Sequence, residues 1–102
     1  MYSDNMNEPA FTWDEAKARE NLLKHGVSFE EAKTAFRDDD GIRIFDTGHS
    51  AQEDRFLLIG LSGNGRMVVT SHCYREDNRE IRLISARKAT KNEARQYVRR
   101  KS

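Results

Sequence analysis

The sequence is poor in cysteine, proline and long apolar runs. Its 102 residues include one Cys and one Pro, and the mean hydropathy is -0.90. The single cysteine, Cys73, excludes an internal disulfide and an all-cysteine zinc site. The longest apolar run, residues 56–59, is far shorter than the roughly 20 residues of a membrane helix. The first residues contain no basic region followed by an apolar stretch, so we expect a cytoplasmic protein without a signal peptide.

Charge is distributed unevenly along the chain, although the net charge is only +1. Residues 1–54 contain 6 Lys and Arg against 13 Asp and Glu, whereas residues 55–102 contain 12 against 4. A basic second half is typical of a protein that binds an anionic partner, such as nucleic acid or an acidic protein. The alternative is a solvated basic helix whose charges are balanced by acidic helices nearby.

Three helix starts carry a hydroxyl residue followed three positions later by Glu, the capping-box pattern. These starts are Thr12, Ser28 and Thr90. They predict helices over about residues 13–25, 29–36 and 91–101, the first of them ending at Gly26.

Between the second and third predicted helices, four segments have strand character: residues 42–46, 55–61, 66–74 and 81–86. Short turns join them, which favours antiparallel neighbours and a meander. We therefore predict an α+β fold with two N-terminal helices, a four-stranded antiparallel meander sheet and a C-terminal helix, the helices covering one face. Residues 1–10 are expected to form a loose tail, and residues 11–102 a single domain.

Hairpin pairing predicts a polar row across three strands. With loops at residues 62–65 and 76–78, Arg55, His72 and Arg82 align, and Tyr74 shares their face. A second turn of two residues turns Arg82 away, so this row depends on the loop length. Two guanidinium groups beside an imidazole and a phenol suit metal-independent RNA cleavage, in which the 2′-OH attacks the adjacent phosphate. The alternative is an exposed sheet face covered by amphipathic side chains.

Other reactive side chains have simpler interpretations. Lys24 and His25 precede a helix-ending Gly, where cations are common, although they can also contact phosphate. The three His residues show no metal-ligand spacing, and we predict no metal site and no cofactor. Cys73 alternates with His72 along its strand and is expected to be a small buried thiol.

Four blocks of sequence together resemble the BrnT toxins of type II toxin–antitoxin systems. They are residues 11–14 (FTWD), 24–32 (KHGVSFEEA), 72–75 (HCYR) and 81–89 (IRLISARKA), and the resemblance extends over about residues 11–97. It implies a RelE-like fold and a ribonuclease that blocks translation. It also implies a BrnA-like antitoxin with a ribbon-helix-helix DNA-binding domain, in a complex that represses its own promoter.

The same resemblance suggests functional positions. Arg55, after the acidic pair Glu53–Asp54, and Arg82 and Arg87 stand where the family has arginines. Tyr97 takes the aromatic position of the last helix, where a core role is the equal alternative. We predict Arg55, His72, Tyr74 and Arg82 as catalytic, Arg87, Lys88, Lys24 and His25 as phosphate-binding, and Arg95, Tyr97, Arg99 and Arg100 as antitoxin-binding residues. The predicted function is a metal-independent endoribonuclease toxin; the alternative is a non-catalytic module that binds an antitoxin and acts as a corepressor.

Overall fold

The computed structural model describes residues 8–101, which form an α+β fold around a mixed five-stranded sheet. Residues 1–7 of the predicted tail lie outside the described part. In chain order the elements are β1 (Ala10–Thr12), α1 (Glu15–His25), α2 (Phe29–Thr34), β2 (Ile42–Phe45), β3 (Phe56–Leu61), β4 (Met67–Arg75), β5 (Glu80–Lys88) and α3 (Lys91–Lys101). Short 3-10 turns at Ala35–Arg37 and Thr47–His49 complete the order.

The prediction of a four-stranded, wholly antiparallel sheet is wrong in one respect. The strand order is β1-β5-β4-β3-β2, and β1 pairs in parallel with β5 through Phe11↔Ile81 and its neighbours. The other four strands form the predicted antiparallel meander, with β3, β4 and β5 in the centre. With only three residues, β1 has no periodicity that could distinguish it from the start of the first helix.

Local capping determines where the helices begin. Thr90 and Glu93 form a complete capping box, because each side chain accepts a hydrogen bond from the other residue's backbone N–H. Ser28 caps α2 through the N–H of Glu31. The first helix instead begins after Asp14, which accepts from the Lys17 N–H. None of the helices within residues 8–101 is long and apolar enough to cross a membrane.

The sheet is covered on both faces, and the predicted one-sided arrangement is therefore wrong. On one face, α1, α2 and the following 3-10 turn pack on a core that includes Phe29, Phe36 and Leu58. On the other, Tyr97 of α3 packs against Ile59 and Val69. We call the part of this second face that α3 does not cover the open face.

Asn21 joins α1 to the edge of β5. Its amide N–H groups donate to the carbonyls of Val27 (2.9 Å) and Ala86 (2.8 Å), and its side-chain oxygen accepts from the Ala86 N–H at 3.0 Å. The side chain is 7% exposed, and it satisfies backbone groups of β5 beyond the end of β1. The Asn21 side chain therefore makes the backbone hydrogen bonds to β5 that a longer β1 would make.

Both hairpins adopt loop lengths that change the predicted register by one residue. The β3–β4 loop consists of residues 63–65, since Ser62 and Arg66 pair and Gly65 has a φ of 81°. The β4–β5 loop spans residues 76–79, with positive φ angles at Glu76, Asp77 and Asn78. A shift of one residue moves a side chain to the opposite face of a sheet. The predicted alignment of Arg55, His72 and Arg82 is consequently wrong.

Candidate active site

The four residues predicted to be catalytic, which were expected to share one face, are divided between the two faces of the sheet. His72 and Tyr74 are on the helix-covered face, where Phe56 is paired with His72. Arg82 is paired with Cys73, and Arg55 comes one residue before Phe56, so alternation places both arginines toward the open face. The predicted row therefore contains Cys73 in place of His72.

A continuous strip of rings crosses β2, β3 and β4 at one end of the helix-covered face. The Phe45 and Phe56 centroids are 5.5 Å apart, and Phe56 lies 5.4 Å from Tyr74. His72 completes the strip, 5.3 Å from Tyr74 and edge-on to Phe36. We call Phe45, Phe56, His72 and Tyr74 the aromatic strip. Its exposure increases from His72, which is buried, to Phe45, which is 45% exposed.

Arg43 lies over this strip and contacts the phenol of Tyr74. Its guanidinium carbon is 5.1 Å from the Phe56 ring centre and 5.5 Å from that of Tyr74, within cation–π range. Its Nη1 donates to the Tyr74 hydroxyl oxygen at 3.2 Å. These contacts hold a cation against a hydroxyl group, an arrangement suited to binding phosphate.

The Arg43–Tyr74 contact opens into a pocket of about 420 Å³ that also holds carboxylates. Glu53 and Asp54, from the segment before β3, line it together with Asn78. Glu53 is tied to Arg75 at 3.5 Å. The pocket thus combines a guanidinium, a phenol and carboxylates, which can supply charge stabilisation and proton transfer.

His72 is inside the protein rather than at the pocket surface. The residue is 0% exposed, its Nδ1 is 3.0 Å from the Thr70 carbonyl oxygen, and its Nε2 is 3.2 Å from the Tyr74 hydroxyl. Only a ring protonated at Nδ1 can donate to Thr70, so Nε2 accepts from Tyr74. Burial, supported by the nearby charge of Arg43, lowers the pKa of His72 to about 4. Such a neutral, enclosed imidazole positions Tyr74 and does not fit the predicted direct contact with RNA.

We expect the buried state of His72 to make the protein sensitive to acid. The unfolded chain takes up the imidazole proton at a pKa near 6.5 and the native state only near 4, so the free energy of unfolding falls as pH drops between these values. The loss attributable to this group by pH 4 is about 3 kcal/mol. Urea unfolding of wild-type and His72→Gln protein from pH 7 to pH 4 measures it. If the free energies of unfolding of the two proteins change with pH in the same way, buried His72 is not the source of the acid sensitivity.

The open face carries the two arginines of the predicted catalytic set, Arg55 and Arg82. Arg55 and Arg82 are both half-buried, and Ser71 and Ser85 lie beside each other between β4 and β5. Ile84 has no partner in β4, and this bulge accompanies the change of register between Ser71 and His72. Cys73 is 1% exposed, as expected for a buried thiol, and burial raises its pKa.

Lys24 and His25 lie beside β5 at the end of α1. With Lys17 and Ser85 they line a pocket of about 280 Å³, which also includes Glu20 and Ile84. His25 is half-buried and Lys24 is exposed, so both can be reached from solvent. Lys88, at the end of β5, is also exposed. Lys24 and His25 form a basic border next to the open face, whereas Lys88 is paired with Val68 and lies on the helix-covered face.

Arg87 and Tyr97 are already engaged within the fold. Arg87 forms two hydrogen bonds with Glu93, at 2.7 and 2.9 Å, and these bonds lower the pKa of Glu93 to about 2. Tyr97 is 4% exposed, and its hydroxyl donates to Asp38 Oδ2 at 2.7 Å. The core alternative for Tyr97 thus describes its position. The other residues predicted to bind a partner are exposed on α3: Arg95, Arg99 and Arg100.

Comparisons with known proteins place the chain in a family. The model of the ribonuclease toxin BrnT of type II toxin–antitoxin systems matches residues 13–93. The chain belongs to the BrnT family of ribonuclease toxins. Its fold is similar to the crystal structure of the Brucella abortus ribonuclease toxin BrnT, with a TM-score of 0.62 and 20% identity over 81% of this chain and 99% of that one. No curated protein matches significantly.

Sequence reasoning missed Arg43, a central residue of the pocket beside Tyr74. Arg43 sits in a short strand between two acidic segments, and only its alternation with Ile42 and Ile44 indicated which face it would occupy. The sequence pattern assigns Glu53 and Asp54 no role beyond preceding Arg55. Within residues 8–101, no three His, Cys, Asp or Glu side chains are grouped in a way that could hold a metal ion.

Proposed function

We propose that this BrnT-family chain is an endoribonuclease that cleaves RNA without a metal ion and thereby inhibits translation. The observation that carries the proposal is the Tyr74 hydroxyl, held between Arg43 and His72 at a pocket that contains Glu53 and Asp54. Each group required for internal attack by the RNA 2′-OH has a candidate in this pocket.

The proposed reaction divides the chemistry among three kinds of side chain. A carboxylate, Glu53 or Asp54, takes the proton of the 2′-OH as its oxygen attacks phosphorus. Arg43 stabilises the negative charge of the phosphorane. Tyr74 rotates its hydroxyl group away from His72 and donates the hydroxyl proton to the leaving 5′-oxygen. Arg43 stabilises the phenolate that remains. The products are a 2′,3′-cyclic phosphate and a 5′-hydroxyl end.

The open face is proposed to bind the RNA backbone. Arg55 and Arg82 provide half-exposed guanidinium groups there, with Lys24 and His25 on the adjacent border. Guanidinium groups form forked, charge-assisted bonds to phosphate. Arg87 lies on the same face and must first leave Glu93 to take part, whereas Lys88 points to the helix-covered face and would contact RNA only outside this surface.

Purified protein incubated with RNA in EDTA tests the proposal directly. We expect cleavage to continue in EDTA and the fragments to carry 2′,3′-cyclic phosphate and 5′-hydroxyl ends, with growth arrest on expression in cells. A folded protein that neither arrests growth nor cleaves free or ribosome-bound RNA contradicts the proposal. That outcome would favour the non-catalytic corepressor alternative.

A type II toxin is paired with an antitoxin, and we propose that α3 receives it. Arg95 and Arg99, with Ala94 and Val98, line a largely apolar groove on this helix, and Val98 is 59% exposed. A BrnA-like ribbon-helix-helix antitoxin would place an acidic, amphipathic segment here and contact promoter DNA itself. We propose that the pair acts in the cytoplasm.

Charge reversal on α3 tests this partner surface. Arg95→Glu, Arg99→Glu and Arg100→Glu combined should weaken binding of the antitoxin by roughly tenfold and make the remaining binding less sensitive to salt. Titration of the antitoxin at low and high salt measures both effects. Unchanged affinity and salt dependence in a folded triple variant would place the antitoxin elsewhere.

A further inference from the structure

The exposed end of the aromatic strip is an unusual place for a phenylalanine. Phe45 lies in β2, an edge strand within residues 8–101, and is 45% exposed. Single exposed apolar side chains are common on proteins and carry no information by themselves. Phe45 differs because its ring continues the strip through Phe56 to Tyr74, the phenol of the proposed reaction.

The surroundings of Phe45 indicate which ligand its exposed ring would bind. Arg43, two residues before it on the same face, carries a guanidinium over the Phe56 and Tyr74 rings, where a phosphodiester would be bound. A nucleotide whose phosphate meets Arg43 needs an apolar surface for its neighbouring base. Unpaired bases in protein complexes stack on aromatic rings and on arginine planes, and the stacking tolerates different base types.

We infer that Phe45 forms a stacking platform for an unpaired nucleobase next to the scissile phosphate, and that the substrate is therefore single-stranded RNA. This inference rests on the proposed function, because it assigns the substrate of the same pocket. Bases in a duplex are stacked on their neighbours and cannot reach the ring, so a double-stranded version of the same sequence would bind only through its backbone.

An RNA oligonucleotide that cannot be cleaved separates stacking from catalysis. We suggest a single-stranded 2′-O-methyl oligonucleotide with one 2-aminopurine, whose fluorescence is quenched when the base stacks. Wild-type protein and Phe45→Trp should bind it and quench the fluorescence. Phe45→Ala should bind about 5- to 100-fold more weakly with little quenching. Leu22→Ala, which removes a 49% exposed apolar side chain from α1, away from the aromatic strip and the open face, should stay within about twofold of wild type.

The outcomes distinguish this inference from the proposed function. If wild type does not quench 2-aminopurine, or if Phe45→Ala binds and quenches like wild type, the platform does not exist. If the platform behaves as expected but unmodified RNA is never cleaved, the ribonuclease proposal fails and the binding surface remains. Equal affinity for duplex and single strand would overturn the assigned substrate. Thermal unfolding of each variant confirms that the proteins compared are folded.

Discussion

Tyr74→Phe is expected to lower the rate of RNA cleavage by roughly 10²- to 10⁴-fold, the usual contribution of a positioned proton donor. The substitution keeps the ring that packs against Phe56 and His72 and removes only the hydroxyl group between Arg43 and His72. Single-turnover cleavage of a defined RNA measures the effect without interference from product release. Circular dichroism shows whether the variant is folded.

Arg43→Gln provides an independent test of the same centre. Loss of a charge that stabilises the phosphorane should lower the cleavage rate by about 10²- to 10³-fold. Arg82→Ala, on the other face, should lower it only about 10- to 100-fold, because it removes a charge-assisted phosphate contact. If Arg82→Ala is more damaging than Tyr74→Phe, the reaction takes place on the open face. Normal cleavage by folded Tyr74→Phe would remove the phenol from the mechanism.

The helices and central strands could be predicted from the sequence because their signals are local. The capping box at Thr90 and the Gly26 end of α1 depend on residues within four positions of each other. Apolar residues likewise identified β3 and β4, which are buried between the helix-side core and the Tyr97 cluster, and β5, whose Ile81 and Leu83 belong to the helix-side core. These patterns do not depend on contacts distant in sequence.

The sequence could predict several residues of the site but not their arrangement, because the arrangement depends on the register of the two hairpins. One loop has three residues with Gly65 in the left-handed region, and the other has four with three consecutive positive φ angles. A positive φ is uncommon for Glu76, so the residue types did not predict a turn in which three consecutive residues adopt this conformation. The real register differs from the predicted one by one residue. His72 therefore lies in the core next to Phe36 and not on the expected RNA surface.

The ion pair between Glu31 of α2 and Arg66, the residue before β4, is the one whose loss should cost the most stability. Arg66 donates from Nε to Glu31 Oε2 at 2.9 Å and from Nη2 to Glu31 Oε1, and Nη2 also reaches the Gly26 carbonyl. The Ser62 hydroxyl donates to the same carboxylate at 2.7 Å. The Glu31 side chain is 5% exposed, and its bonds to Arg66 hold the pKa of this carboxyl below its usual range. The carboxylate is therefore stable in the core only while Arg66 is present.

Arg66→Met should reduce the free energy of unfolding at pH 7 by about 3–5 kcal/mol, because it leaves a buried carboxylate without its cation. Arg75→Met is a matched control: it breaks the exposed pair with Glu53, whose side chain is 40% exposed, and should cost at most about 1 kcal/mol. Urea unfolding of both variants measures the difference. The deficit of Arg66→Met relative to wild type should shrink in acid, where the unpaired Glu31 takes up a proton and becomes neutral. Equal small losses in the two variants, or a deficit that does not change with pH, would show that the buried carboxylate does not depend on Arg66.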